Sequence, residues 1–293
     1  MKPEPSTPKA ALWMAGSITC FLVMSVAGRA LAPHLDVFQV LEMRSLIGLL
    51  MIWPLIRAEG GFGAMLTGRP LMHVGRNVAH YAGQYAWFYA LALIPLAELI
   101  SIEFTMPCWA AILAVLFLRE RLSAAKAGAI VLGLVGVLVI VRPGVNEMNP
   151  GHVVILFGAF MFAISIVMVK AMTSTENAVS IIFWMLIIQS MLGLVPAIQV
   201  WRTPSPDLLP WIVLVAFTGT FSHYCLARAL SHADTMVVTP IDFLRVPFSA
   251  LIGWMLYDEA IDAWVAAGAA LILFGNLLNL QRRTTKPAPA ELP

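Results

Sequence analysis

The sequence predicts an all-α integral membrane protein, ten transmembrane helices arranged as two inverted five-helix repeats around a central cavity. Three observations carry that prediction. Of 293 residues, 60% are hydrophobic and 12% charged, against about a quarter charged in soluble domains, and mean hydropathy is +0.85. The apolar residues gather into runs of about 20, enough for a hydrocarbon core of roughly 30 Å. The chain also matches itself at an offset of 139 residues.

So few charges cannot cover a water-facing surface, and a net charge of +2 offers no basic field for nucleic acid. Cys20, Cys108 and Cys225 stand alone in apolar segments, without CxxC or Cys/His spacing. They read as packing residues, and no disulfide framework, metal or cofactor is expected. The first apolar run, 10–28, exceeds a signal-peptide core of roughly 7–15 residues, so it reads as a span rather than a cleaved leader.

The spans fall at 10–30, 37–56, 71–93, 96–118, 124–141, 151–169, 179–200, 208–229, 237–256 and 263–280. Connections are short and carry turn formers such as Gly60-Gly61, Pro143-Gly144 and Pro204-Ser205-Pro206. With the N-terminus inside, the inner segments hold twelve Lys and Arg residues and the outer ones only Arg29, Arg142 and Arg202. Basic residues are retained on the cytoplasmic side, so both termini are expected in the cytoplasm. The 119–126 loop is then inside and the 258–262 loop outside.

In the self-match, Tyr85 meets Tyr224, Ile102-Glu103-Phe104 meets Ile241-Asp242-Phe243, Glu120 meets Glu259, and Gly136 meets Gly275. Five helices is an odd number, so the second copy enters the membrane upside down. The chain divides into a cytoplasmic segment 1–9, a first repeat 10–143, a second repeat 150–280 and a cytoplasmic tail 281–293. Inverted repeats with a site at their interface are a recurrent transporter design.

The run Pro107…Leu116-Phe117-Leu118-Arg119-Glu120-Arg121-Leu122, followed by Gly128…Gly133…Gly136, resembles the hallmark of the drug/metabolite transporter superfamily, EamA type. Pro247…Leu256-Tyr257-Asp258-Glu259-Ala260-Ile261 repeats it more loosely, without the usual glycine before the glutamate. Within that superfamily the chain is similar to the YddG-type amino-acid exporters. The resemblance implies a multi-pass protein of a bacterial inner membrane that moves a small metabolite by alternating access. Export of amino acids, aromatic ones included, is expected first; riboflavin, S-adenosylmethionine or a drug-like compound are the alternatives. Ten spans suffice to enclose a cavity, so a monomer is enough, with a small solute and the lipid bilayer as partners.

Ionisable groups at membrane depth are expensive and need a reason. Arg44 and Glu103 lie about a third of the way in from the outer face, Arg76 and Asp242 at a similar depth from the inner face, by roughly 1.5 Å per helical residue. Because Glu103 and Asp242 are repeat mates, two related ion pairs are expected, with Glu42 and Arg245 close enough to join either. They either staple helices together or close alternate gates. On the third span Asn77, His80, Tyr81, Gln84, Tyr85 and Phe88 share one helical face. His223 and Tyr224 fall on the corresponding face of the second copy. The stripe reads as a cavity wall with hydrogen-bonding and aromatic groups, or else as polar glue between helices. Ser101, Thr105 and Trp109, one turn apart, either join that wall or pack. Gly128, Gly133 and Gly136 read as close-packing positions.

An enzyme would need a nucleophile with its base or a metal cluster, and no HExxH, GxSxG or GxxxxGK run occurs. Rings of like charge or a filter loop, as in channels, are also missing from the pattern, so neither an enzyme nor a pore is expected.

Overall fold

The structure is a computed structural model that describes residues 6–117, 124–145, 149–172, 176, 178–233 and 235–284. The Leu118-to-Leu122 part of the motif, most of the 119–126 loop and the outer parts of both tails lie outside the described residues. The spans are α1 (Thr7–Leu31), α2 (Val37–Met51) continued by α3 (Trp53–Ala58), α4 (Pro70–Leu91), α5 (Leu96–Glu103) continued by α6 (Met106–Phe117), and α7 (Ala124–Val141). The second set is α8 (Pro150–Met172), α9 (Ala178–Gln199), α10 (Leu209–His232), α11 (Thr235–Asp242) continued by α12 (Arg245–Tyr257), and α13 (Ala263–Thr284).

Three of the ten spans expected as continuous helices are broken, and proline is the cause each time. Pro54, Pro107 and Pro247 stand within the first turn of α3, α6 and α12. Each removes an amide donor, and its ring crowds the carbonyl four residues back. A freed carbonyl in hydrocarbon needs another partner. At the α5–α6 break, Asn276 of α13 donates its Nδ2 to the Phe104 carbonyl at 3.0 Å, and Thr105 Oγ1 donates to Ile102 O at 2.7 Å.

The duplication is visible in the elements themselves. The first residues of α10, α11, α12 and α13 each lie 139 positions after those of α4, α5, α6 and α7. Packing follows the same exchange. Helix α1 lies along α10 as α4 lies along α8, while α2 packs on its own mate α9 and α7 on its own mate α13. Large apolar side chains such as Leu50, Val131, Leu138 and Val195 point outward, as a lipid-facing surface requires.

The α7–α13 contact depends on glycine. A Cβ on Gly136 would sit 2.7 Å from the Gly268 carbonyl oxygen, and one on Gly268 would sit 2.5 Å from that of Gly136. Exchanging the repeats turns this contact into the one between Gly275 and Ala129, where the Ala129 oxygen lies 3.1 Å from the same virtual atom. Gly133 opens room for Cys108 of α6, whereas Gly128 faces nothing within 4 Å and needs no glycine.

Gly136→Ala and Gly268→Ala are therefore expected to lower stability by about 1–3 kcal/mol, the usual cost of overpacking, in thermal unfolding of the detergent-solubilised protein. Gly128→Ala is the control and should be neutral or gain up to about 1 kcal/mol from helix propensity. Equal losses at all three positions would show that close approach is not what the two glycines provide.

For the inversion, Gly63 and Ser205 lie in corresponding connections of the two repeats, before α4 and before α10. Single cysteines there, in a background without Cys20, Cys108 and Cys225, are expected to react with an impermeant maleimide from opposite faces, Gly63→Cys from the cytoplasm. Labelling of both from one face would contradict the inversion.

Candidate functional site

Among the described residues, seven segments are long and apolar enough to cross a membrane on those grounds alone; α4 is long enough but not among them. Its polar stripe lowers its hydropathy, and the fold hides that stripe from lipid. Asn77 is fully buried, and His80, Tyr81, Gln84 and Phe88 are each less than 9% exposed; α4 packs on α8, α9 and α2, and His80 meets His223 of α10.

Around His80 the two repeats meet. Gln189 of α9 approaches His80 Nδ1 at 3.3 Å and accepts from Arg44 Nη2 of α2 at 3.4 Å. The His223 ring of α10 lies 5.8 Å from that of His80, and Phe162 of α8 meets it edge-on at 5.4 Å. Arg76, one turn before His80, donates to Asn77 Oδ1 at 2.6 Å. Tyr81 directs its hydroxyl to Gly193 of α9, where Glu42 Oε2 also converges, so that a Cβ there would meet both within 3 Å. Several buried polar atoms here lack a hydrogen-bond partner among the described residues: Arg44 Nε, Arg76 Nε, Tyr81 Oη, Gln84 Oε1 and Glu42 Oε2. Buried polar groups are nearly always satisfied; these five, all on α2 and α4, are among the twelve unpartnered atoms of the described residues.

Other members of the expected wall go elsewhere. Tyr85 stacks with Phe38 and Tyr89, and Phe88 presses against Gly28 of α1. Tyr224 contacts Trp13 and Phe221. Ser101 and Thr105 spend their hydroxyls on carbonyls of their own segment, and Trp109 packs edge-on against Phe160 of α8. Two hollows lie at the two ends, one near Pro33 to Asp36 with Trp201 and one near Gly68 to Met72.

The expected pairs of Arg44 with Glu103 and Arg76 with Asp242 do not form. One guanidinium serves both carboxylates instead: Arg245 lies 2.8 Å from Asp242 Oδ2 and 3.4 Å from Glu103 Oε1. Trp87 Nε1 donates to Glu103 Oε2 at 2.7 Å. The Arg245 head lies over Phe21 at 4.3 Å and Phe104 at 4.7 Å, and Phe104 meets its repeat mate Phe243 at 4.8 Å. The two broken spans thus touch at their breaks, and the repeat mate of Arg245 is Met106, so only one arginine is present for two related acids.

One end of the bundle is latched. Arg29 pairs with Glu259 and donates to the carbonyls of Leu91 (3.0 Å) and Ile94, while Glu259 accepts from the Leu96 amide at 2.9 Å. Arg142 pairs with Asp262 across α7 and α13, and Tyr257 lies under the Arg29 guanidinium. Helix α12 packs along α5 at this end; among the described residues, its counterpart contact between α6 and α11 is all but missing. Gln189, Trp87 and Asn276 are not singled out by the sequence, although an amide in the middle of an apolar helix is a signal for the first and third.

A helical bundle of two related halves, with buried charge at their interface and one end latched, is the frame of a multi-pass membrane carrier. The sequence agrees: residues 8–142 and 149–281 each match the model of the EamA-like transporter family, and the chain belongs to that family. It is 26% identical over 265 residues to the S-adenosylmethionine uptake transporter of Rickettsia prowazekii, covering 90% of each chain. It is 30% identical over 233 residues to the riboflavin transporter of Rhizobium johnstonii, covering 78% of this chain and 77% of that one. One crystal structure shares the fold at a TM-score of 0.66 and 17% identity, covering 96% of this chain and all of the other.

Arg245→Gln leaves two neighbouring carboxylates unpaired and is expected to cost on the order of 3–5 kcal/mol. Glu103→Gln and Asp242→Asn leave Arg245 one partner each and should cost far less. Thermal unfolding of the three purified variants checks this ordering; an Arg245→Gln protein as stable as wild type would remove the node from the account of stability.

Proposed function

We propose that this chain is a secondary carrier for a metabolite of amino-acid size that joins an aromatic or apolar body to a polar head. The single observation behind this reading is the buried stripe of α4, whose His80, Tyr81 and Gln84 meet α2, α9 and α10 with several polar atoms left unpartnered. Amino acids fit the description. The solutes in the relatives' names are larger but share the plan of a body and a polar head: S-adenosylmethionine carries a purine and an amino-acid head, and riboflavin a fused ring system with a polyol. The Rickettsia relative is by name an uptake transporter, and a carrier driven by its solute's gradient works in either direction, export of amino acids included.

The repeats 10–143 and 150–280 interleave, and alternating access moves paired helices of both against each other, in an inner membrane, with both termini in the cytoplasm. Under that orientation the Arg29–Glu259 latch closes the outer end, and the described state faces inward. Glu103 and Asp242, sharing Arg245 at the meeting of the breaks, are the pivot. Exchange of Arg245 between its two acids accompanies the change of facing.

The test is counterflow in proteoliposomes preloaded with unlabelled tryptophan, S-adenosylmethionine or riboflavin, with the labelled solute outside. Transient accumulation that saturates supports a carrier; linear flux with ohmic current refutes one. Tyr81→Ala and Gln84→Ala are expected to weaken apparent affinity several-fold, since an aromatic contact contributes roughly 0.5–1.5 kcal/mol and a neutral hydrogen bond about the same. Wild-type affinity and selectivity in both variants would move the binding site away from α4.

A further inference from the structure

We infer that Arg44 and Arg76 form an oxyanion site that takes a carboxylate or phosphate group of the transported solute. This rests on the carrier reading above and specifies the solute's polar head.

Three of the eighteen Lys and Arg residues lie within the spans more than one turn from either end, and they divide into two kinds. Arg245 is the structural kind, with an acid on either side. Arg44 and Arg76 are buried more deeply as residues, at 3% and 6% exposure, yet among the described residues neither has a carboxylate within 4 Å. Their polar contacts are neutral, Gln189 for one and Asn77 for the other; the Nε of each has no partner, as is also true of Arg245, so the missing carboxylate is what sets them apart.

Both guanidinium groups address the same place. Arg44 reaches His80 through Gln189, and Arg76 stands four residues before His80 on the same face of α4. Glu42 is the nearest acid in sequence to Arg44, but residues two apart on a helix do not face each other. Its carboxylate is turned to Ser190 and to the Tyr81 hydroxyl at Gly193.

Two unbalanced positive charges in a dry interior carry a desolvation penalty that no contact in this state offsets. A glutamine would fill much of the space without the charge. The guanidinium fork instead suits planar, bidentate recognition of carboxylate and phosphate oxygens. The occupant is therefore an anion brought in by the solute. It leaves with the solute, which a fixed carboxylate in the protein would prevent.

The experiment measures the thermal unfolding of the purified full-length protein in detergent with phenylacetate, phenyl phosphate or neutral phenylacetamide at matched concentrations. At least one anion is expected to raise Tm with an apparent affinity about ten-fold above that of the amide, as charge-assisted bidentate contacts allow. The better of the two anions distinguishes carboxylate from phosphate. Arg44→Gln and Arg76→Gln should abolish the shift while unfolding, without ligand, no earlier than wild type. Arg57→Gln, at the end of α3, should keep the shift. No shift with any probe, equal shifts with amide and anions, a shift that survives both substitutions, or early unfolding or loss of folded protein in both variants would each overturn the site. Anion-selective stabilisation without counterflow would keep the oxyanion site and refute the carrier; counterflow equal for acids and their amides would do the reverse.

Discussion

A single guanidinium between two repeat-related carboxylates is the interaction on which the rest of this molecule's geometry depends. Arg245 opens α12, Glu103 closes α5 and Asp242 closes α11, so the three charges sit where two helices are interrupted inside the bilayer. Interrupted helices are tolerated at that depth only where protein satisfies the freed backbone groups. Asn276 does so from α13, and the ring pair Phe104–Phe243 fills the space between the breaks. Proline makes the breaks, and the charge node draws the two of them together.

The departures from symmetry are as informative as the symmetry. Glu103 and Asp242 are mates, as are Phe104 and Phe243, but Arg245 corresponds to Met106 and Asn276 to Val137. A fully symmetric node would hold two arginines and two acids in balance and favour neither facing state. With one arginine, the acids compete for it, and the asymmetry between α5–α12 and α6–α11 packing gives that competition a structural counterpart. The latch of Arg29 and Glu259 at one end adds to the bias.

What the sequence makes legible is what depends on near neighbours or on the chain's likeness to itself. Hydropathy finds the spans, the 139-residue register pairs the elements, and helical spacing puts His80, Tyr81 and Gln84 on one face. The breaks at Phe104 and Phe243 are marked by prolines, yet a proline in an apolar run does not reveal whether the helix bends or stops; that depends on a partner such as Asn276, 172 residues from Phe104. The pairing of charges failed for a related reason. Depth along a span places a Cα, whereas Arg245 reaches Glu103 across 142 residues of sequence because two breaks happen to meet there. Tyr224 and Phe88 share the right helical face by counting, but the neighbouring helices turn that face toward Trp13 and Gly28 respectively.

The same distinction separates the two populations of buried charge. A membrane protein that wanted stability alone would place apolar residues at 44 and 76, because burying an ion is rarely repaid even when it is paired. Arg245 is repaid twice by acids and twice by aromatic faces, and it belongs to the architecture. Arg44 and Arg76 are held in place by neutral amides, which orient a guanidinium without neutralising it. Orientation without neutralisation leaves the field of both charges directed at the space beside His80, where a solute's own charge decides whether it is bound.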